Sequence, residues 1–170
     1  MELKCGVGKE KGRKLRFCID YRRLSEASVK DAYPLPRNST CLDALGGAKY
    51  CSTFDLRSGY FQVYMDPTDA GKTAIITRGG LCEFAKMPFG HCNAPGTFQW
   101  VMDLTLSDLN FQILLVYLDD IIVYSRTLPE HLIRLNQLFQ RLVQANLKLK
   151  PSKFFLLQTR VGFLGHVISE

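Results

Sequence analysis

The sequence predicts an α+β domain in which an antiparallel sheet packs against helices. Three observations point to it. Strand-length runs rich in β-branched and aromatic residues recur and are joined by short turns. Two helical stretches, one from 93 to about 106 and one starting at the capping sequence 127–130, carry apolar residues at helical spacing. Hairpins and helices are interleaved without a repeat or a linker, which suits one sheet covered on one face. At 170 residues and 46% hydrophobic composition, the chain is one domain or a piece of a larger protein.

The elements follow in order. Residues 4–14 are basic and glycine-containing, and Gly12 marks the tip of a hairpin whose second strand is 15–20. Alternation sets Leu15, Phe17 and Ile19 on one face and Arg16, Cys18 and Asp20 on the other. A helical turn over 21–24 precedes an extended stretch, 32–36, held by Pro34 and Pro36. A short helix over 40–45 closes at Gly46 and Gly47. The strand 50–54 delivers Asp55, and 57–63 reads as a tight turn or short helix and then another strand. Residues 73–77 and 81–86 form a hairpin around Arg78, Gly79 and Gly80. The helix from Asn93 has Pro95 in its first turn and Phe98, Val101, Met102 and Thr105 on one side. In the next helix Thr127 and Glu130 form a capping box. Leu132, Leu135, Leu138, Phe139, Leu142 and Val143 make its apolar side, and Asn146 is its left-handed cap. Strands over 154–157 and 161–168 end the chain.

Composition narrows the function classes. No apolar run reaches the length of a membrane span, and the first residues lack signal-peptide character. Six cysteines without a C-x-x-C pair read as free thiols of a reducing compartment. The three histidines are scattered, which argues against a histidine metal site. Net charge is +6 and unevenly placed. Residues 1–37 hold ten basic side chains against five acidic, 38–125 five against nine, and 126–170 seven against two. Basic ends around an acidic centre suit a site that holds polyanions around metal ions.

The acidic centre contains Asp119 and Asp120, adjacent carboxylates between the apolar runs 111–117 and 121–124. The simplest geometry is a hairpin with the acids at its tip. Like charges this close repel, so folding alone does not account for them. A divalent cation would, although a polar turn is the plain alternative for this stretch by itself. Asp55, at another strand end, becomes a partner if the two strands are neighbours. Three carboxylates would then suit two hard cations, the arrangement that activates a hydroxyl and stabilises leaving pyrophosphate.

Eight stretches carry a resemblance. They are LRFCIDYR at 15–22, VKDAYPLP at 29–36, LGGAKY at 45–50, FDLRSGY at 54–60, MPFG at 87–90, NAP at 93–95, VYLDDI at 116–121 and FLGH at 163–166. In this order and spacing the chain resembles the fingers–palm region of the reverse transcriptase of gypsy-type LTR retrotransposons, part of a Metaviridae-like pol polyprotein. The resemblance implies a right-hand polymerase palm with partial fingers and no thumb: about 1–50 and 67–92 fingers-like, 51–66 and 93–170 palm-like. It implies RNA-directed DNA polymerase activity with two Mg²⁺ ions, or Mn²⁺, held by Asp55, Asp119 and Asp120 and by the Leu56 carbonyl. Lys9 and Arg16 would contact the incoming dNTP. Tyr60 would lie under its sugar and exclude a 2′-hydroxyl, Phe89 and Gly90 would line its pocket, and Gln99 would support that pocket. Tyr117 and Leu118 would lie by the primer terminus, and Phe163, Leu164, Gly165 and His166 would grip the primer. The implied partners are an RNA or DNA template with its primer, dNTPs, and the thumb, RNase H and integrase regions of the polyprotein. The implied setting is an intracellular retroelement particle in the cytoplasm or nucleus, with no membrane.

Three positions depart from the family pattern: Ser25 where Asn is usual, His91 where an apolar residue is usual, and Gly96 where Ala is usual. The isolated chain, without a clamp, is expected to synthesise weakly or not at all. The alternative is an inactive retroelement remnant that binds nucleic acid or protein.

Overall fold

A computed structural model describes residues 19–169 in full and the backbone of residues 5–9 and 15–18. The chain forms two compact units, residues 1–32 with 58–97, and residues 33–57 with 98–170. Among the described residues no helix is long and apolar enough to cross a membrane.

In the first unit β1 (Cys5–Lys9) pairs antiparallel with β2 (Leu15–Ile19), Lys9 opposite Leu15. The glycine-bearing tip between them lies outside the described residues. The expected turn after β2 is a longer helix, α1 (Arg22–Ala27), and Ser28 Oγ donates to the Leu24 carbonyl at its end. Tyr21 is buried with Ile19 and Ile75, and its hydroxyl donates to the Thr73 carbonyl. Burial pushes that phenol up to about 12.

The short helix expected early in 57–63 is a 3₁₀ turn, Gly59–Gln62, entered through Ser58 at a φ of 51°, and it takes the place of the strand expected after it. Its aromatic residues prefer a ring cluster to a sheet face. Phe61 stacks near Phe84 and meets Phe89 edge-on, with centroids 6.1 and 5.1 Å apart. Pairing survives only as a single bridge, Tyr64 to Lys86. A helical turn absent from the sequence reading, α3 (Pro67–Ala70), is capped by Asp66, which accepts from the Thr68 N–H. The following hairpin is shorter than expected: β4 (Ile75–Thr77) and β5 (Gly80–Cys82), joined by Arg78 and Gly79.

The second unit is built on a four-stranded sheet of order β6-β7-β3-β8, in which every neighbour is antiparallel. Its strands are β3 (Tyr50–Asp55), β6 (Leu114–Tyr117), β7 (Asp120–Ser125) and β8 (Phe155–Gln158). The expected one-sided cover is wrong. Leu114, Leu115, Val116, Ile121, Ile122 and Val123 are all buried, and consecutive buried residues on a strand need cover on both faces. One face receives α5 (Leu128–Gln144), where Phe54 meets Phe139 edge-on. The other face carries Cys51, Leu115 and Ile122, which pack with Cys41 and Leu45 from α2 (Asn38–Ala44) and its end and with Val161 and Phe163. Those last two residues belong to a hairpin, β9 (Arg160–Phe163) and β10 (His166–Ser169), where one strand was expected. Leu164 and Gly165 turn it with φ of 50° and 80°, the positive pair that a tight two-residue hairpin turn requires.

Helix α5 buries His131, Leu135, Leu138 and Leu142, leaves Leu132 and Val143 on its outer side and Phe139 at the margin against Phe54, so the expected apolar stripe is only partly the core stripe. Thr127 makes no side-chain cap, and the Glu130 carboxylate accepts from the Arg126 N–H, one residue before the cap, so the expected capping box is not formed. At the far end Asn146 does adopt φ 53°, its N–H meeting the Val143 carbonyl and the Leu147 N–H that of Leu142. These two bonds are the Schellman closure. Arg141 binds both carboxylate oxygens of Asp108 at 2.8 and 2.7 Å and the Thr105 carbonyl, tying α5 to the end of α4 (Ala94–Leu106). Cys41, Cys51, Cys82 and Cys92 are free thiols, as expected.

Candidate active site

The acids are placed by register. Asp55 lies directly opposite Asp120 across β3 and β7, so both side chains leave the same face of the sheet. Asp120 also pairs with Tyr117, which makes Leu118 and Asp119 the two-residue turn between β6 and β7. The expected hairpin is therefore present, with Asp119 in its turn and Asp120 on the first residue of the outgoing strand. Backbone bonds tie the end of β3 to this turn and to the 148–150 segment. The Leu56 N–H donates to the Asp119 carbonyl at 3.0 Å, and the Asp55 carbonyl accepts from the Lys150 N–H at 2.8 Å. Leu56 bridges to Leu149, and the two bonds of that bridge come from the residues flanking Leu56. The Leu56 carbonyl takes part in neither of these bonds.

The electrostatics follow from this crowding. Partial burial, then repulsion from Asp119 and Asp55, pushes the Asp120 carboxyl up to about 6. The Lys153 ammonium opposes this rise and forms an ion pair with Asp55. In return, the hydrogen bond to Asp55 and the neighbouring negative charges raise the Lys153 pKa. Among the described residues no three of His, Cys, Asp and Glu converge as a finished ligand cage. The donor set nevertheless fits a hard cation. All three side chains are carboxylates, their mutual repulsion is relieved by positive charge, and a side-chain cation already sits among them.

Asp55 and Asp120 border a cleft of about 600 Å³ whose wall includes Lys153, Gln158, Arg160, Phe163 and Leu164. The β9–β10 turn therefore borders the same cleft as Asp55 and Asp120. Its four predicted residues divide. Phe163 is buried in the core and anchors the turn, Leu164 is half-buried, and Gly165 and His166 are exposed. Tyr117 packs against the same core cluster as Leu164. Gln99 is fully buried, and its amide is used on the turn itself. It accepts from the Leu118 N–H at 2.7 Å and donates to Asp103 at 2.9 Å.

The remaining predicted residues belong to the first unit. Tyr60 and Phe89 are ring neighbours, with centroids 4.9 Å apart. Gly90 follows at a φ of 98°, and a Cβ there would stand 3.0 Å from the Ile19 carbonyl, so only glycine fits. Lys9 and Arg16 lie in β1 and β2, and their side chains lie outside the described residues. Sequence reasoning missed Lys153, Tyr33 and Asp103. Lys153 offers a faint signal as a cation just ahead of a strand, whereas the other two look like ordinary surface residues.

The sheet and its strand-end acids have the polymerase fold of reverse transcriptases. A foamy viral protease-reverse transcriptase in complex with double-stranded DNA matches 99% of this chain with a TM-score of 0.92 and 27% identity, the match covering 30% of that protein. The same kind of protein in complex with an RNA/DNA hybrid matches with a TM-score of 0.89 and 26% identity, over 99% of this chain and 22% of the other. The family model for reverse transcriptase (RNA-dependent DNA polymerase) matches residues 8–168, and the chain belongs to that family. Among relatives, the Retrovirus-related Pol polyprotein from transposon 297 of Drosophila melanogaster is 44% identical over 92% of this chain. The corresponding polyprotein from transposon gypsy is 36% identical over 91%. The chain spans 15% of the length of each of these polyproteins. An RNA-directed DNA polymerase homolog of Oenothera berteroana is 44% identical over 69% of this chain and 85% of its own length.

Proposed function

We propose that this chain is the fingers–palm core of an RNA-directed DNA polymerase within a retrotransposon Pol polyprotein, with 1–50 and 67–92 fingers-like and 51–66 and 93–170 palm-like. The observation that carries the reading is the pairing of Asp55 with Asp120, with Asp119 in the adjoining turn, beside a cleft that also holds Lys153 and Arg160. Relatives that include an RNA-directed DNA polymerase homolog, and solved neighbours in complex with double-stranded DNA or an RNA/DNA hybrid, support it.

The primer 3′-hydroxyl gives up its proton to water as its oxygen bonds to the dNTP α-phosphorus, and the bond from that phosphorus to pyrophosphate breaks. Asp55, Asp119 and Asp120 would hold two Mg²⁺ ions, or Mn²⁺, with the Leu56 carbonyl as a further ligand. Ions bound there make the 3′-hydroxyl easier to deprotonate and neutralise charge on the leaving pyrophosphate. The protein's remaining task is positioning in a preorganised field. Lys153 and Arg160 supply positive charge to the cleft. The Leu164–Gly165 turn and His166 grip the primer, with Phe163 as its buried anchor, and Tyr117 and Leu118 adjoin the primer end. Lys9 and Arg16 contact the triphosphate, Phe89 and Gly90 shape the nucleotide pocket, and the bulk of Tyr60 rejects a 2′-hydroxyl. Thumb, RNase H and integrase regions complete the polyprotein, which works in an intracellular particle.

Primer extension on poly(rA)/oligo(dT) tests this reading. Asp119→Asn is expected to lower the rate by about a hundredfold or more, and equal rates in the two proteins would sink it. A second reading, a remnant that binds without catalysis, draws on the Lys153 ion pair at Asp55. It predicts no extension by the wild type, even when the polymerase is continued through its thumb.

A further inference from the structure

Leu118 is the residue that aims the turn. It adopts a φ of 52°, uncommon for a side chain of its size, in the turn between β6 and β7, whose register pairs Tyr117 with Asp120, itself opposite Asp55 on β3. No glycine assists. Its N–H instead donates to Gln99 Oε1 at 2.7 Å, in a side chain with no solvent exposure.

An amide can present either its oxygen or its nitrogen, and only the oxygen suits Leu118. Asp103 settles which. Gln99 Nε2 donates to Asp103 Oδ1 at 2.9 Å, and a carboxylate accepts without donating. The amide nitrogen is therefore held toward Asp103 and the oxygen toward the turn. The second oxygen, Oδ2, accepts from the Tyr33 hydroxyl at 2.7 Å, which fixes the carboxylate in turn. Resting on the reading of the acids given above, we infer that Tyr33 and Asp103 are positioning residues. Through Gln99 they hold Leu118 in its left-handed conformation and so set Asp119 and Asp120 for cation binding.

The variant Asp103→Leu frees the Gln99 amide to turn its nitrogen toward the Leu118 N–H. Asp103→Asn keeps an acceptor for Gln99, and its own amide can donate to the Tyr33 hydroxyl, so it is the rescuing variant. The first readout is hydrogen exchange of the Leu118 amide in the 170-residue chain. Asp103→Leu is expected to speed it about tenfold and Tyr33→Phe about threefold, while Leu115 and Val116 exchange as in wild type and Asp103→Asn stays near wild type. The second is Mn²⁺ binding followed by electron paramagnetic resonance, weakened about fivefold in Asp103→Leu and restored in Asp103→Asn. Where extension is measurable, kcat falls about tenfold and the dNTP KM stays within twofold.

Unchanged Leu118 exchange and Mn²⁺ affinity in Asp103→Leu would overturn the inference. So would equal acceleration at Leu115 in both Asp103→Leu and Tyr33→Phe, which would mark a general packing role. Neither readout needs catalysis. A wild type with a protected Leu118 amide and bound Mn²⁺ that does not extend a primer removes the polymerase reading and leaves the positioning role standing. A wild type that binds no Mn²⁺ removes the positioning role.

Discussion

The strands β3 and β7 carry a polar cluster at each end. Toward the end where Tyr50 faces Ser125, both nitrogens of the buried His131 ring are engaged, with Ser52 and Ser125 each 2.8 Å away. The proton positions close into one consistent chain. Ser125 donates to the Thr127 carbonyl, so the ring donates to Ser125 from Nδ1. Nε2 then accepts from Ser52, whose oxygen accepts from the Leu157 N–H. At the other end Asp55 faces Asp120, carboxylate charges repel, and a lysine is drawn in to offset them. One cluster is satisfied and shut away from water. The other is left in conflict at a cleft. Polar groups that serve the fold are closed, whereas groups kept for chemistry retain a charge imbalance that a substrate or ion can relieve.

Breaking the open end has the largest expected effect, and the effect falls on chemistry. Asp55→Asn removes one of the three acids and the partner of Lys153. Extension on poly(rA)/oligo(dT) is expected to drop by about a hundredfold or more, with a melting temperature within about 2 °C of wild type, because removing one of the repelling carboxylates offsets the loss of its ion pair with the half-exposed Lys153. Retained activity would erase the distinction between the two ends.

Breaking the closed end has the next largest effect, and it falls on stability. His131→Ala leaves a cavity and strips Ser52 and Ser125 of a partner, a cost of about 3 kcal/mol, or roughly 9 °C in a domain of this size. The same site sets a pH dependence. Burial, with the Arg134 charge adding to it, holds His131 below its ordinary value. The unfolded chain takes up a proton below about 6.5, and the folded ring resists it. Stability from this site is therefore whole above that pH and is lost as pH falls through it toward the folded value. Urea melts of wild type and His131→Ala between pH 7.5 and 5 check this, and parallel slopes would show that the closed end does not titrate.

The two ends were unequally legible in the sequence. Asp119 and Asp120 stood out because charged neighbours between apolar runs are a local pattern, and the β-hairpin that explains them is local too. The Asn146 cap was readable for the same reason. The His131 cluster was not, because it joins residues 79 positions apart, and a histidine on a helix face carries no mark of the serines it will meet. Lys153 reaches Asp55 across 98 positions and Tyr33 reaches Asp103 across 70, so these contacts emerge only from the tertiary arrangement. The strand expected within 57–63 failed for a similar reason. Tyr60 and Phe61 instead meet the rings of Phe89 and Phe84, residues more than twenty positions away that the local stretch does not announce.

The smallest expected effect sharpens the comparison most, because it has the opposite sign. Asp120 has its carboxyl raised to about 6, against about 4 for an unperturbed aspartate. The folded protein therefore binds a proton more tightly at this site than the unfolded chain does. Stability from this group is present at low pH, falls as pH rises between about 4 and 6, and is a fixed penalty above that. Asp120→Asn removes the charge and with it the penalty. In chelator at pH 7.5 the variant is expected to be more stable than wild type, by about 1 kcal/mol once solvent screening of this accessible group is allowed for. The gain should vanish near pH 4. It should also vanish in Mn²⁺, which would stabilise the wild type by binding the folded state alone. Asp120→Asn should meanwhile extend no primer. A substitution that strengthens the fold while abolishing the reaction would show that the strain at this strand end is retained for chemistry. A variant less stable than wild type in chelator would show instead that Lys153 already neutralises the acids, and that the two ends of the strand pair differ less than their charges suggest.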